Sequence, residues 1–486
     1  MNDLMWILWG ALIACGALLL FMLLRTALLR PPKETENSQT PPLPDLDESI
    51  LAAHLSEAVA IPTVSLVSPD DDGRHFLEFH AWLERTYPAL HAAAEKTVIN
   101  KFSLIYRIKG SDETLKPLCF LSHQDVVPAT PEGWEAPPFG GEIKDGYIYG
   151  RGSMDMKSQL VATVEAVEYI LKHGGTPKRG IYLCFGHDEE VSSEHGAPYI
   201  AAYLKERGVS FEYLIDEGGI MADGNILGVP HTIALIGTCE KGYADIKLTS
   251  KRDGGHASSP KRPTCLGLLA KAILSIEKHP MKTTFNQPTK ELFRDFAPYM
   301  RFIFRFFMAN RDILSPLLRA VFTLIPMTNS LVRTTFAPTM ATGADRRNVL
   351  PAESTANINV RILTGDNSAG VLKHIQKTVG KNISAEITNV TEPCPVSPTD
   401  TPQYRALTKA LKEVWSDLIA APYMFIAASD ARFYYGLTPN VYRFTPFKYA
   451  LSDQARIHAL NERCEVKALV PAVAFFIRCI ENSCMD

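Results

Sequence analysis

Apolar residues follow three patterns along the chain. From Leu4 to Leu24 they form one run with no charged residue. Wound as an α-helix at about 1.5 Å per residue, this run spans roughly 30 Å, the hydrocarbon thickness of a bilayer. Residues 31–45 (PPKETENSQTPPLPD) are polar and Pro-rich, the pattern of an extended linker. From Leu46 onward short apolar runs alternate with amphipathic stretches. Leu118–Leu121, Gly180–Phe185 and Phe211–Ile215 read as buried strands, and 156–172 as a helix between the first two. The alternation predicts βαβ units around a mostly parallel sheet, whose ligands sit at the carboxyl ends of the strands.

The first run admits three readings: a membrane anchor, a cleaved signal peptide or a buried core helix. A signal peptide wants a basic leader, a shorter apolar core and a small-x-small cleavage site; here only Asp3 precedes the run. Trp6 and Trp9 suit an interfacial belt, so the expectation is an uncleaved single-pass anchor over 4–24. Arg25, Arg30 and Lys33 follow the run and favour a cytosolic body, but long domains can cross a membrane whatever their flanking charge. The side is left open. The sequons Asn382-Ile383-Ser384 and Asn389-Val390-Thr391 matter only for a lumenal or extracellular body.

Composition narrows the class. The 486 residues are 46% hydrophobic and 21% charged, which excludes global disorder. Lys+Arg number 50 against 53 Asp+Glu, so charge gives no case for a nucleic-acid partner. Nine cysteines are scattered from Cys15 to Cys484 with no C-x-x-C pair, which argues against both a disulfide framework and a structural zinc site.

Chemistry-bearing residues cluster where the pattern ends its strands. His123-Gln124-Asp125 follows the first strand, G-R-G-S-M-D-M-K (150–157) opens the helix, His187-Asp188-Glu189-Glu190 follows the second strand and Asp216-Glu217-Gly218-Gly219 the third. I-H-A-L-N-E-R (457–463) lies near the C-terminus. Singly, an H-x-D is a surface loop and a Glu pair a solvated face; their placement on successive βα units is what points to a site. Imidazole and carboxylate donors without thiolate suit zinc, cobalt or manganese, and a carboxylate can bridge two ions. Of two adjacent glutamates, one can ligate while the other works as a general base.

These blocks, with G-W-E-A-P-P-F-G-G (133–141), T-N-S-L-V-R-T-T (328–335) and Val441-Tyr442-Arg443-Phe444, resemble the aminoacylase / carboxypeptidase S / glutamate carboxypeptidase family of di-zinc metallohydrolases. The likeness runs from about Leu46 to Met485 and is greatest to the members that act on N-fatty-acyl amino acids. It implies two zinc ions per chain, bridged by Asp155, with His123 and Asp216 completing one set of ligands and Glu190 and His458 the other. It implies that Glu189 is the general base, that Asp125 orients His123 and that the Asp155-Met156 peptide is cis.

The resemblance further implies a catalytic α/β domain in two pieces, 46–243 and 362–486, around an inserted ferredoxin-like lid or dimerisation domain at 244–361. In the insert, His256 of G-G-H-A-S-S would polarise the scissile carbonyl, often from a partner subunit, while Asn348 and Arg361 would bind substrate. Asp430 and Arg432 match a further substrate-side loop, although Ala428-Ser429 departs from the family's usual residues there. An arginine holds a free carboxylate bidentately, which selects N-acyl amino acids or peptide C-termini. His195 reads as a helix-start residue.

The Phe- and Leu-rich stretch 299–324 has three readings: a core or dimer-interface hairpin, a wall for an acyl chain, or a patch resting on the membrane. The reading of the whole is a membrane-anchored di-zinc amidohydrolase acting on small N-acyl amino acids, with room for a homodimer. A carboxypeptidase on short peptides is the alternative, and a non-catalytic binding module the third reading.

Overall fold

The structure, a computed structural model, describes residues 2–32, 41–65 and 72–485. The expected linker falls mostly at 33–40, outside the described residues. The body is built on a nine-stranded sheet. Its middle follows the expectation: Leu118–His123 runs parallel to Ile181–Gly186 and Leu214–Asp216, and Val441–Arg443 parallel to Leu214–Asp216. Both flanks break it. The hairpin Ala94–Ile99 and Ser103–Ile108 joins Ile181–Gly186 antiparallel, and Ile220–Asp223 pairs antiparallel with Thr232–Glu240. The sheet is therefore mixed rather than mostly parallel, because short hairpins need no crossover helix and attach at the edges.

The central strands are buried on both faces, as their unbroken apolar runs require. One face is covered by Lys157–Lys172, of which thirteen residues are buried, and by Leu469–Ile480, which packs against it. The latter lies in the apolar stretch Val466–Met485, long enough to cross a membrane but 56% buried, so here it is a core helix.

A second, four-stranded antiparallel sheet is ordered Thr335–Thr342, Glu353–Ile362, Gly242–Lys251, Ile383–Thr391. With the helices Cys265–Lys278 and Ser368–Val379 it makes a βαββαβ unit. Glu353–Ile362 alternates buried and half-exposed positions, so Ala356, Ile358, Val360 and Ile362 meet Leu269, Ile276, Val371 and Ile375 in one core. This unit reaches Thr391, thirty residues beyond the expected boundary at 361, because its fourth strand lies after the second helix.

The helices Gln287–Phe296, Phe302–Ala309 and Ser315–Leu324 do not belong to that unit. Phe293, Phe296, Met300, Met308 and Leu318 pack on Ile233, Ala421 and Tyr423 at the edge of the nine-stranded sheet. The N-terminal helix Asn2–Leu28 projects from the body: its segment Asp3–Leu28 has a mean hydropathy of 2.6, is 6% buried, and is long and apolar enough to cross a membrane.

Candidate metal centre and active site

The expected cluster forms at the carboxyl ends of the central strands. His123 closes its strand in register with Gly186. Its Nδ1 donates to the Asp125 carbonyl oxygen at 2.9 Å, which turns Nε2 into the cluster. That Nε2 lies 3.1 Å from Asp155 Oδ1 and 3.4 Å from Glu217 Oε1. The other Asp155 oxygen lies 3.2 Å from His458 Nε2, which is 2.9 Å from Glu190 Oε2. Asp155 thus stands between two imidazoles with one oxygen toward each, the posture of a bridging carboxylate. The Asp155-Met156 peptide is cis. Donor atoms of His123, Glu189 and Glu217 lie within 4.8 Å of one another, as do those of His123, Asp155 and Glu190.

Asp216, expected as a ligand, is held by backbone donors, and Glu217 faces His123. The Asp216 carboxylate is buried and turned away from the cluster, accepting the backbone N–H groups of Glu217 at 2.8 Å and Ala431 at 2.7 Å. Its neighbour Glu217 faces His123 instead. Adjacent residues at a strand end point to opposite faces, so in Asp-Glu only one carboxylate can reach the cluster.

Asp125 lies against His123, its Oδ1 3.4 Å from Nδ1, and it does more than that contact. Its two oxygens also accept the backbone N–H groups of Glu189 (3.1 Å) and Glu190 (3.2 Å), while Ser65 Oγ donates to one of them at 2.7 Å. Asp125 therefore sets the turn that presents both glutamates.

The cluster's charges are out of balance. Burial, with the Asp155 charge adding, pushes the Glu217 carboxyl well above the ordinary range, and burial with the Glu217 and Asp430 charges does the same to Glu189. Burial also raises Glu190. Burial opposes ionisation of Asp155, yet hydrogen bonds from His123 and His458 outweigh it and hold its carboxyl down. Hydrogen bonds to Asp155 and Glu190 push His458 up to about 10. Four carboxylates and the His123 imidazole crowded out of water, with the half-exposed His458 at the rim, make the donor set and charge deficit that divalent cations satisfy. The residues fit a metal pair.

Beside the cluster is a cavity of about 390 Å³ whose lining combines Glu189, Glu190, Glu217 and His458 with Ile220, Phe425, Phe447 and Ile457. No residue of 299–324 lines it, so the acyl-wall reading of that stretch is not what the fold builds.

Two residues that sequence reasoning left without a role hold the Asp155 loop. Glu462 is fully buried; its Oε1 accepts the N–H groups of Met154 (2.8 Å) and Asp155 (3.1 Å), and its Oε2 pairs with Arg151 at 2.6 Å. The signal was a lone acid four residues after a histidine, which reads equally well as surface charge.

The expected substrate residues lie elsewhere. Gly255–His256 pairs with Val349–Leu350 in a small exposed two-stranded sheet, where the Asn348 carbonyl accepts the Ala257 N–H at 3.0 Å and His256 Nδ1 lies 2.8 Å from Ser258 Oγ. Arg361 stacks on the Tyr243 ring, 5.1 Å from its centroid, within the second sheet. None of the three lines the cavity. Asp430 is buried and accepts Ser193 Oγ at 2.6 Å; burial and the Asp216 charge push it up to about 7. Arg432 donates to the Ser192 carbonyl at 3.2 Å. Both brace the turn after the glutamate pair instead of facing the cavity. The His195 side chain is exposed; its backbone N–H donates to Asp188 at 2.6 Å just before the helix Ala197–Glu206.

The fold and the cluster together define a metal-dependent hydrolase of the peptidase and amidohydrolase class. The chain belongs to peptidase family M20/M25/M40, whose model matches residues 119–482. It is 36% identical over 449 residues to the N-fatty-acyl-amino acid synthase/hydrolase of Xenopus tropicalis, covering 91% of this chain and 88% of that one. It is 35% identical over 446 residues to the probable carboxypeptidase S-like 2 of Dictyostelium discoideum, covering 90% and 86%. In fold it resembles the M20 family metallo-carboxypeptidase Sso-CP2 of Sulfolobus solfataricus, with a TM-score of 0.65 at 16% identity over 90% of this chain and 99% of that one.

Proposed function

We propose that this chain hydrolyses, and under excess fatty acid and amine forms, the amide bond of N-acyl amino acids bearing a free carboxylate. The observation that carries the reading is a cavity lined both by a carboxylate–imidazole cluster and by apolar side chains. Likeness to the Xenopus tropicalis N-fatty-acyl-amino acid synthase/hydrolase along most of both chains supports it.

His123, Asp155 and Glu217 would hold one ion and His458, Asp155 and Glu190 the other, with zinc the metal proposed and cobalt or manganese accepted by the same donors. When bound, the ions supply Lewis acidity and raise the acidity of water between them. Glu189, raised by burial, takes a proton from the attacking water and passes it to the amide nitrogen. The water oxygen bonds to the carbonyl carbon, the C–N bond breaks, and acid and amine leave. Asp125 and Glu462 keep the Glu189 turn and the Asp155 loop in place. His256, Asn348 and Arg361 are proposed to meet the substrate when the second sheet approaches the cluster or from a second copy of the chain. The N-terminal helix is proposed to anchor the body to a membrane.

A carboxypeptidase activity is the second reading, favoured by the likeness to the Dictyostelium discoideum protein. The test offers the full chain a long-chain N-acyl-phenylalanine and a dipeptide with the same C-terminal residue. Faster cleavage of the acyl-phenylalanine is expected. Preference for the dipeptide would move the assignment to carboxypeptidase; turnover of neither, with no bound metal, would return it to a binding module.

A further inference from the structure

The stretch 299–324, excluded from the cavity, carries an unexplained surface. Its inner face is core, but its outer face is not. Phe302, Ile303 and Phe304 are 53%, 57% and 44% exposed, and Leu317, Val321 and Leu324 are 49%, 45% and 79% exposed. The last three are spaced i, i+4, i+7, one stripe of the helix Ser315–Leu324. Ile325 and Met327 extend it, at 55% and 65%. Contiguous apolar surface of this kind on a folded protein marks a contact.

What covers it is indicated by its neighbour. The last turns of the N-terminal helix dock on Phe302–Ala309. Met22 and Thr26 are buried there, and Leu29 joins the core beneath. Asn310, fully buried, donates from Nδ2 to the Met22 carbonyl at 3.2 Å and to Thr26 Oγ1 at 3.3 Å. Arg25 pairs with Asp312 at 2.9 Å. The apolar outer face is thus fixed to the helix rather than tethered to it. The docked segment also begins where a span would end: Leu4 to Phe21 measures about 27 Å as a helix, close to the hydrocarbon thickness.

We propose that the outer face of 302–327 is a second membrane contact, lying in the interface of the bilayer that the N-terminal helix crosses. It rests on the reading of that helix as an anchor. The span and the seat together fix the body's orientation on the membrane. Phe425 packs against the seat's core and also lines the active-site cavity.

The test places an environment-sensitive fluorophore on single cysteines of the full chain in phosphatidylcholine–phosphatidylglycerol vesicles containing nitroxide lipids. Cys15 is the exposed thiol among the described residues, and it labels the span itself. In C15S, L324C labels the seat and V98C labels an exposed site, 48% accessible, on the far hairpin. The expected result is lipid quenching at positions 15 and 324, roughly twofold or more at 324 for a shallow nitroxide, with 98 unquenched. Quenching at 15 with a water-exposed label at 324 overturns the seat and leaves the anchor standing. A label at 324 shielded from water but unquenched by lipid means that protein, such as a second copy, covers the face, which also overturns it. No quenching at 15 overturns the anchor reading and the seat with it.

Discussion

The two sheets hold their histidines in opposite ways. In the nine-stranded sheet His123 is 1% exposed, its tautomer set by a backbone carbonyl and its free nitrogen aimed at Asp155 and Glu217. In a separate two-stranded sheet His256 sits on an exposed strand two residues long that pairs with Val349–Leu350, and its ring meets Ser258 two residues on. The first arrangement is finished by the fold: parallel strands end together, and the pleat and core decide which side chains converge. The second stands apart from the cavity, and the role proposed for it depends on what approaches that strand pair. If the bond-making groups lie on the buried element and the substrate-holding groups on the exposed one, as proposed, the two should answer differently to substitution.

The largest expected contrast is between E189Q and H256A. E189Q should lower kcat by about 10³–10⁴-fold while the fold and metal content stay intact. H256A, if His256 acts on the carbonyl as proposed, from a strand pair that must be brought in, should cost about 10²–10³-fold. Steady-state kinetics on both variants check this; a larger loss for H256A than for E189Q would break the division.

E462Q probes the support beneath the buried side. It weakens the acceptor for the Met154 and Asp155 N–H groups and removes the charge facing buried Arg151. Activity should fall about 10–100-fold, as for partners that orient ligands. The unpaired buried guanidinium should cost about 3–5 kcal/mol, read as a lower urea midpoint. Loss of activity with unchanged stability would contradict the role given to this pair.

A smaller effect comes from His80, beside the same strand end. Its Nε2 lies 2.9 Å from Gln124 Oε1 and 3.1 Å from the Phe102 carbonyl, and burial lowers it to about 4. Unfolded, it titrates near 6.5, so between pH 6.5 and 4 the unfolded chain binds more protons and stability falls with acid. Between pH 7.5 and 5 the native protein should lose about 2 kcal/mol more than H80Q, measured by urea unfolding at each pH. Equal losses would remove His80 from the account.

Much of the buried side was legible in the sequence. His123, Asp155, Glu189, Glu190 and His458 stood in motifs at strand ends, and the fold gathers all five. Asp216 and Glu217 were not separable, since both are acids at one strand end and only the pleat tells which faces inward. Glu462 was hidden because a buried acid and a surface acid look alike until the Arg151 partner, more than three hundred residues away in sequence, is known. The span of the second sheet was misjudged for a similar reason: its last strand, Ile383–Thr391, pairs with Gly242–Lys251 across the whole insertion. The stretch 299–324 carried too little period to tell core from surface, because it is both.

The central claim is that the strand ends build a two-ion hydrolytic site in which Glu217, not Asp216, is a ligand. Counting metal per chain in the wild type, E217Q and D216N tests it most directly. The account predicts two ions in the wild type, the number that a co-catalytic pair requires, with the second retained in D216N and lost in E217Q. Retention of both ions in E217Q with loss of one in D216N would contradict it.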